Sequence, residues 1–267
     1  MSMQRLRDWP RTERRRLKVI LTDIDDTLTT AGKLSAATLQ VLDRAKQAGW
    51  LRIAVTGRPT YWTLPLLRLC NFDAVIAENG ASAFWLDEAG KQQAMFYAEA
   101  ELRQQHRQQL EQFAVILQAR FPEVKVASDA PQRIGDLAFD IGEEIMPLPL
   151  ARTAEIADFI REHGLYATTS SIHAHASVMH FSKQTMAQKL LAEVFDIADH
   201  HARECCVFVG DSPNDASMFA HYPWSVGVAN VKKYLDRFDA HPLYVTEQAC
   251  GAGFVELINF LLDEEND

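Results

Sequence analysis

Short continuous runs of apolar residues recur along the chain and predict strands of a parallel sheet buried on both faces. These runs are Leu17–Thr22, Leu51–Thr56, Ala74–Ala77, Cys205–Val209 and Val226–Ala229, with Leu243–Thr246 a weaker case. Helical patterns fall between them, at Ser35–Ala48, Thr60–Cys70, Thr185–Asp196 and Asp215–Ala220. Ser35 suits an N-cap, and Gly49 follows the end of that helix. The alternation predicts an α/β fold with a doubly wound, Rossmann-like parallel-sheet core.

The pattern changes between residues 84 and 181. The segment begins within a predicted hairpin, Ala81–Leu86 with Gln93–Ala98, and continues through a long polar helix, Glu101–Arg120. It then predicts strands at Val124–Ser128 and Ile134–Ile141, a helix at Ala151–His163, and strands at Leu165–Ile172 and Ala176–Phe181. This order is typical of a separate α+β unit. We therefore expect residues 17–83 and 182–267 to form the core, residues 84–181 an inserted cap, and residues 1–16 a basic N-terminal arm.

Composition narrows the class of protein. The chain has 267 residues, 48% of them hydrophobic, and a formal net charge of −9, which argues against a general nucleic-acid binder. The basic residues near the N-terminus read as a solvated arm without an assigned function. No apolar run approaches the ~20 residues of a membrane span, and the N-terminus lacks a secretory apolar region. Four cysteines without CxxC spacing do not indicate a disulfide framework, so we expect a cytoplasmic protein.

Two acidic loops follow predicted strands that are far apart in sequence. The first is Asp23-Ile24-Asp25-Asp26-Thr27, and the second is Gly210-Asp211-Ser212-Pro213-Asn214-Asp215. Parallel sheets bind ligands outside the carboxyl ends of their strands, so the two loops are expected to form one site. Carboxylates in such a site repel one another unless a cation lies among them. Oxygen ligands of this kind suit Mg²⁺.

Hydrolysis of a phosphate monoester needs a nucleophile, an acid for the leaving oxygen, a cation and further groups that bind phosphoryl oxygens. The acidic loops supply carboxylates that could serve as the nucleophile, as the acid and as ligands of the cation. Thr56-Gly57-Arg58 follows another strand and offers a hydroxyl with backbone N–H groups, while Lys183 offers a point charge. Asn214 is a candidate to orient the acidic set. The sequence thus contains a candidate for every role.

Four segments, in order, resemble the motifs of the haloacid dehalogenase-like phosphatases. They are Asp23-Ile24-Asp25-Asp26-Thr27-Leu28, Thr56-Gly57-Arg58, Ser182-Lys183 and Gly210-Asp211-Ser212-Pro213-Asn214-Asp215. A cap between the second and third motifs is similar to subclass IIB, the Cof-type group that includes sucrose-phosphate and mannosylglycerate-phosphate phosphatases. Two further segments also resemble the sequence pattern of this subclass: Glu78-Asn79-Gly80 and Val226-Gly227-Val228-Ala229-Asn230. The family usually has Gly where this chain has Asp26.

The resemblance implies a role for each motif residue. Asp23 is implied as the nucleophile and as a Mg²⁺ ligand, and Asp25 as the acid and base that also touches the metal through its carbonyl. Thr56 and Lys183 are implied to hold the phosphoryl group. Asp211 is implied as a further Mg²⁺ ligand, which Asp215 supports directly or through water. The expected substrate is a small phosphate ester, most plausibly of a sugar or sugar acid.

Substrate contacts are expected from residues beside the cleft: Thr56, Gly57, Arg58, Glu78, Asn79, Lys183 and Asn214. His173, His175 and His180 invite a zinc site, but no cysteine lies near them in sequence, and structural histidines or substrate contacts are favoured. Two other functions stay open. A phosphosugar mutase would use similar chemistry, and a retired catalytic fold would bind sugar phosphates without turnover.

Overall fold

The computed structural model describes residues 3–170 and 172–262. Residues 1–2 of the predicted arm, residues 263–267 of the predicted core, and Ser171 within the predicted strand Leu165–Ile172 lie outside the described residues. No helix within the described residues has the length and apolar character needed to cross a membrane.

One large sheet forms the core, as the apolar runs predict. Its order is β1-β13-β12-β11-β2-β3-β4-β5-β6, with neighbours parallel from β1 to β4 and antiparallel from β4 to β6. The strands are β1 (Gln4–Arg5), β2 (Val19–Thr22), β3 (Leu51–Val55), β4 (Ala74–Ala77), β5 (Ser82–Leu86), β6 (Gln92–Phe96), β11 (Cys206–Gly210), β12 (Ser225–Gly227) and β13 (Tyr244–Val245). The parallel α/β core is confirmed.

Helices cover both faces of this sheet and create two apolar layers. Helices α2 (Ala36–Gln47), α3 (Thr63–Leu69) and α9 (Cys250–Leu262) supply one layer. The opposite layer includes side chains from α6 (Lys183–Val194), α7 (Asp199–Cys205) and α8 (Ala216–His221). The short helix α1 (Arg11–Arg14) buries no residue. A sheet with helices on both faces is doubly wound, so the predicted core architecture is observed.

A second, four-stranded antiparallel sheet lies in the predicted insert. Its order is β7-β8-β10-β9, formed by β7 (Lys125–Val126), β8 (Leu137–Asp140), β9 (Tyr166–Thr169) and β10 (His173–Ser177). Helices α4 (Ala100–Arg120) and α5 (Leu150–Glu162) pack their apolar sides with this sheet in a third core cluster. The insert is therefore the expected α+β unit. We refer to it as the cap, whose sequence boundaries remain a prediction.

Three features differ from the sequence expectations. The β5–β6 hairpin, assigned in part to the insert, pairs with β4 and extends the large sheet because a tight turn at Glu78–Gly80 reverses the chain. β10 begins at His173, before the predicted strand at Ala176; one of its two buried faces carries His173, His175 and Ser177, and these polar residues interrupt the apolar pattern. The helices α7 and α9 were not predicted.

The N-terminal arm is not simply solvated. β1 pairs with β13 at the edge of the large sheet, and the Trp9 side chain is 1% exposed. The Trp9 ring stacks on Tyr244 with their centroids 4.4 Å apart, and Trp224 lies on the same aromatic cluster. Apolar burial therefore outweighs the solvation expected from the surrounding arginines.

Candidate active site

Four predicted motifs meet at the carboxyl ends of the central strands. Asp23 follows β2, Thr56 follows β3, Asp211 follows β11, and Lys183 begins α6. The Asp23 backbone N–H donates to the Val209 carbonyl at 2.9 Å, which joins the first motif to the strand that leads into the last one. A Cβ at Gly210 would collide with the Asp215 carboxylate, so the close approach of these loops requires glycine there.

Lys183 lies at the centre of the acidic residues. Its Nζ donates to Asp23 Oδ1 at 2.5 Å and to Asp215 Oδ1 at 2.7 Å, and all three side chains are buried. A capping box between Ser182 and Thr185 starts α6 and fixes Lys183 at its first position. Burial disfavours the ammonium, but the two carboxylates outweigh it and raise the pKa of Lys183 above its ordinary value.

The second oxygen of Asp215 is engaged by backbone. Asp215 Oδ2 accepts from the N–H groups of Asp211 at 2.9 Å and Ser212 at 3.1 Å. Because Lys183 donates to Oδ1, the Asp215 carboxylate links the backbone of its own loop to the lysine ammonium. This arrangement favours the supporting role that the resemblance implied for Asp215.

Asp211 is oriented from two sides by neutral groups. Thr27 Oγ1 donates to Asp211 Oδ1 at 3.2 Å, and Asn230 Nδ2 donates to Asp211 Oδ2 at 2.7 Å. Asn230 also donates to the Asp26 carbonyl at 3.0 Å and accepts from the Cys250 N–H at 2.8 Å. Sequence reasoning placed Asn230 only in a family-like segment and missed this position between loops.

The carboxylates of Asp23, Asp211 and Asp215 have oxygen atoms within 4.8 Å of one another. Lys183 is the cation bonded to this group, so full ionisation leaves two uncompensated negative charges. Burial, opposed by Lys183 and reinforced by Asp215, raises the pKa of Asp23 to about 7. Burial and the charge of Asp23 raise the pKa of Asp211 well above its ordinary value. An all-oxygen, buried and doubly negative group fits a hard divalent cation such as Mg²⁺.

Asp25 stands apart from this group. Arg58 donates through Nε to both carboxylate oxygens at 3.0 Å and through Nη2 to Asp25 Oδ1 at 2.6 Å. The guanidinium also lies 4.5 Å from the centre of the Trp62 ring. The Asp25 side chain is therefore not brought into the acidic group predicted to hold metal, but it lines the same cavity as Asp23.

The loop after β3 presents polar groups beside Asp23. Thr56 is 1% exposed, and its Oγ1 accepts from the Arg58 N–H at 3.1 Å, which leaves the hydroxyl hydrogen available to a ligand. Across the loop, Asn214 Nδ2 donates to Asn79 Oδ1 at 3.0 Å. Asn79 Nδ2 is buried and has no hydrogen-bond partner among the described residues. The predicted polar residues Thr56, Gly57, Asn79 and Asn214 are thus gathered around the acidic group.

Glu78 does not take the predicted position of a substrate contact. Its Oε1 accepts from the N–H and hydroxyl of Thr60, and its Oε2 accepts from the N–H groups of Ile134 and Gly135 in the cap. The side chain is fully buried, and burial, reinforced by Asp136, raises its pKa. With both oxygens used, Glu78 joins cap to core, and the prediction of a substrate contact is corrected on this geometry.

The cap presents β10 toward the acidic loops. His173 and His175, which share a face of that strand, line one cavity with Asp23, Asp25 and Asn214. His175 Nδ1 lies 2.9 Å from Asp136 Oδ2, and His173 Nε2 lies 2.9 Å from Glu143 Oε2. His180 lies in a neighbouring cavity, with its ring 5.3 Å from that of Tyr166. The only set of metal-ligating side chains found among the described residues is the acidic one, so the histidines form no zinc cluster there.

Residues 20–121 match the family model of the haloacid dehalogenase-like hydrolases. The structure resembles a Thermoplasma acidophilum protein with a TM-score of 0.68 at 18% identity, covering 92% of this chain and 99% of that one. It also resembles the sucrose-phosphatase of Synechocystis, solved with sucrose and phosphate, with a TM-score of 0.63 at 15% identity and coverage of 92% and 98%.

A third similar structure is a haloalkanoate dehalogenase superfamily phosphatase of Bacteroides thetaiotaomicron, with a TM-score of 0.61, 20% identity and coverage of 95% and 97%. No curated protein sequence matches this chain. The family match and the shared fold confirm the resemblance to haloacid dehalogenase-like proteins of the IIB type, with a Rossmann-like core and an inserted cap.

Proposed function

We propose that this chain is a Mg²⁺-dependent, cytoplasmic phosphatase that hydrolyses a small phosphate monoester, of a sugar or sugar acid, through an aspartyl-phosphate on Asp23. The observation that carries the proposal is the buried group of Asp23, Lys183 and Asp211 at one end of the sheet, beside the hydroxyl of Thr56. Binding alone would not require a buried carboxylate facing the ligand cavity.

The reaction has two balanced steps. Asp23 attacks phosphorus, the bond to the leaving oxygen breaks, and Asp25, in its protonated form and released from Arg58, donates its proton to that oxygen. Water then attacks the aspartyl-phosphate, Asp25 takes its proton, and inorganic phosphate leaves with the Asp23 carboxylate restored. Thr56 and Lys183 hold phosphoryl oxygens during both steps.

Asp23 and Asp211 would hold Mg²⁺, with Asp215 supporting them. When bound, the ion offsets phosphoryl charge and the mutual repulsion of the carboxylates. Lys183 keeps one Asp23 oxygen fixed at 2.5 Å, which orients the other oxygen for attack. The cap covers this site and excludes bulk water from the intermediate.

The test is phosphate release from p-nitrophenyl phosphate and a panel of phosphorylated metabolites, with Mg²⁺ and with EDTA. Asp23→Asn should abolish release while circular dichroism and the melting temperature show a folded protein. Asp43→Asn makes the same change at an exposed carboxylate that accepts a hydrogen bond from Gln47, and it should retain full activity. Undiminished activity in Asp23→Asn would reject the nucleophile and the proposal with it.

A further inference from the structure

A buried histidine on the cap has one ring nitrogen without a partner. His175 is 3% exposed, and its Nε2 makes no hydrogen bond among the described residues. The His175 residue lines two cavities, one also lined by Asp23 and Asp25 and the other, of about 500 Å³, also lined by Asn79 and Lys183. Buried polar atoms without partners are rare in folded proteins, so this one calls for a ligand.

The other ring nitrogen determines the chemistry of Nε2. His175 Nδ1 lies 2.9 Å from Asp136 Oδ2, and Asp136 Oδ1 accepts from Arg133 Nη1 at 3.0 Å. Burial alone would raise the pKa of Asp136, but Arg133 and His175 hold it at about 2, so this residue is an acceptor. Burial also lowers the pKa of His175 despite Asp136, so the ring is neutral near pH 7. A neutral ring that donates from Nδ1 leaves a lone pair on Nε2.

The ring is also fixed relative to the phosphate-binding loop. Arg133 Nη1 donates to the Gly57 carbonyl at 2.9 Å, and the same guanidinium holds Asp129 through Nε and Nη2 at 2.8 and 2.7 Å. A Cβ at Gly135 would collide with Ala81, so the segment that carries Asp136 is packed tightly against the core. The chain of hydrogen bonds through Asp136 and Arg133 therefore fixes the position of the His175 ring relative to Thr56-Gly57-Arg58.

A complementary donor lines the second cavity. Asn79 is 4% exposed, its Oδ1 accepts from Asn214, and its Nδ2 has no partner among the described residues. Together, His175 Nε2 and Asn79 Nδ2 offer one acceptor and one donor. Hydroxyl groups both donate and accept, whereas carboxylates and phosphates cannot donate to the imidazole when ionised.

We propose that His175 is a specificity-determining residue whose Nε2 accepts a hydrogen bond from a hydroxyl group on the leaving part of the substrate, and that Asp136 is the positioning residue that sets its tautomer. This inference rests on the proposed phosphatase function and assigns the residues that would recognise the hydroxyl groups of its substrate. Asn79 Nδ2 donates to a hydroxyl oxygen of the same ligand.

Asp136→Asn tests the tautomer directly. The asparagine oxygen stays with Arg133, so its NH₂ group faces His175 Nδ1 and converts Nε2 from an acceptor into a donor. The ¹⁵N signals of the imidazole report this change, and His175→Phe identifies which signals belong to the residue. Asp129→Asn is the matched control, because it alters another partner of Arg133 without touching His175. Unchanged His175 signals in folded Asp136→Asn would overturn the claim that Asp136 sets the tautomer of His175.

Substrate preference tests the recognition. Sorbitol 6-phosphate and hexyl phosphate share a six-carbon chain and differ in hydroxyl groups. Wild type should favour the hexitol ester in kcat/KM, and His175→Phe should reduce that preference by about 10- to 100-fold, the effect of one lost buried hydrogen bond. Asp136→Asn should reduce it less, because a hydroxyl group can also accept from the Nε2–H of the other tautomer. Turnover of hexyl phosphate should change far less. A preference that survives both substitutions would overturn the proposal, and His175→Phe decides the question if Asp136→Asn does not fold.

A binding measurement separates this inference from the proposed function. In Asp23→Asn, which cannot form the aspartyl-phosphate, sorbitol 6-phosphate should shift the His175 Nε2 signal and hexyl phosphate should not. Such a shift without phosphate release by the wild type would reject the phosphatase function and retain hydroxyl recognition. Phosphate release by the wild type without any shift would reject hydroxyl recognition alone.

Discussion

Asp211→Asn should have opposite effects on the protein with and without Mg²⁺. The Asp211 carboxylate lies within 4.8 Å of two others, and within the described part of the chain its hydrogen-bond donors, Thr27 and Asn230, are both neutral. At that separation, two unit charges in an effective dielectric of about 20 repel by roughly 3 kcal/mol. Protonation of Asp23 or Asp211 relieves part of this repulsion. Removing the charge should therefore stabilise the metal-free protein by about 1–3 kcal/mol.

The asparagine keeps both local hydrogen bonds. Its oxygen accepts from Asn230, and the Thr27 hydroxyl rotates to accept from its NH₂ group. For a chain of this size, about 1–3 kcal/mol corresponds to an increase in melting temperature of roughly 2–12 °C. In wild type, Mg²⁺ at 100 times its dissociation constant should add about 2.7 kcal/mol. In Asp211→Asn, that stabilisation should largely disappear.

The assay is thermal unfolding followed by circular dichroism, in EDTA and in increasing Mg²⁺. Asp43→Asn is the control, since it removes an exposed carboxylate and should change neither curve. A melting temperature of metal-free Asp211→Asn at or below that of wild type would refute the claim of uncompensated repulsion. A Mg²⁺-induced shift equal to that of wild type would refute Asp211 as a metal ligand.

Glu78→Gln should lower the free energy of unfolding by about 1–3 kcal/mol in urea titrations, because the NH₂ group of the glutamine must face backbone N–H donors. The exposed control Glu101→Gln should have little effect, and equal losses in the two variants would contradict the role of Glu78 in joining cap to core. Trp9→Ala should cost about 3–5 kcal/mol and exposed Tyr61→Ala under about 0.5 kcal/mol, so a small loss at Trp9 would show that the arm is not packed. The pKa of Asp136 is about 2 when folded and about 3.9 when unfolded. Its stabilising contribution, about 2–3 kcal/mol, is present above pH 4 and lost as pH falls toward 2. The stability difference between wild type and Asp136→Asn should shrink over that range, and a constant difference would contradict this assignment.

The sequence predicted the parts of the site that follow buried strands. Asp23, Thr56 and Asp211 stand at the ends of continuous apolar runs, and parallel pairing brings those ends together whatever the loops between them. The positions of these three residues depend on backbone topology, which hydrophobic patterning largely determines. Lys183 was identified instead from the resemblance of Ser182-Lys183 to a family motif; the predicted helix began at Thr185, whereas a capping box starts it at Lys183.

The cap side of the site could not be predicted in this way. Arg133 and Asp136 sit in a polar stretch with no periodic signal, and their roles depend on contacts with Gly57 and His175 that are far away in sequence. Glu78 was placed near the cleft, but its conformation turns the carboxylate toward cap backbone. Tertiary contacts determine side-chain direction in irregular segments. The sequence therefore predicted that Glu78 lies near the cleft but not which groups its carboxylate would contact.

The packing of Trp9 against Tyr244 has a practical consequence for anyone shortening the protein. A chain starting at residue 17 would keep every motif residue but would lose the ring that shields Tyr244 and the strand that occupies the open margin of β13. An exposed edge strand can pair with strands of other molecules. Such a truncated chain should self-associate and precipitate during purification, even though its chemistry is intact.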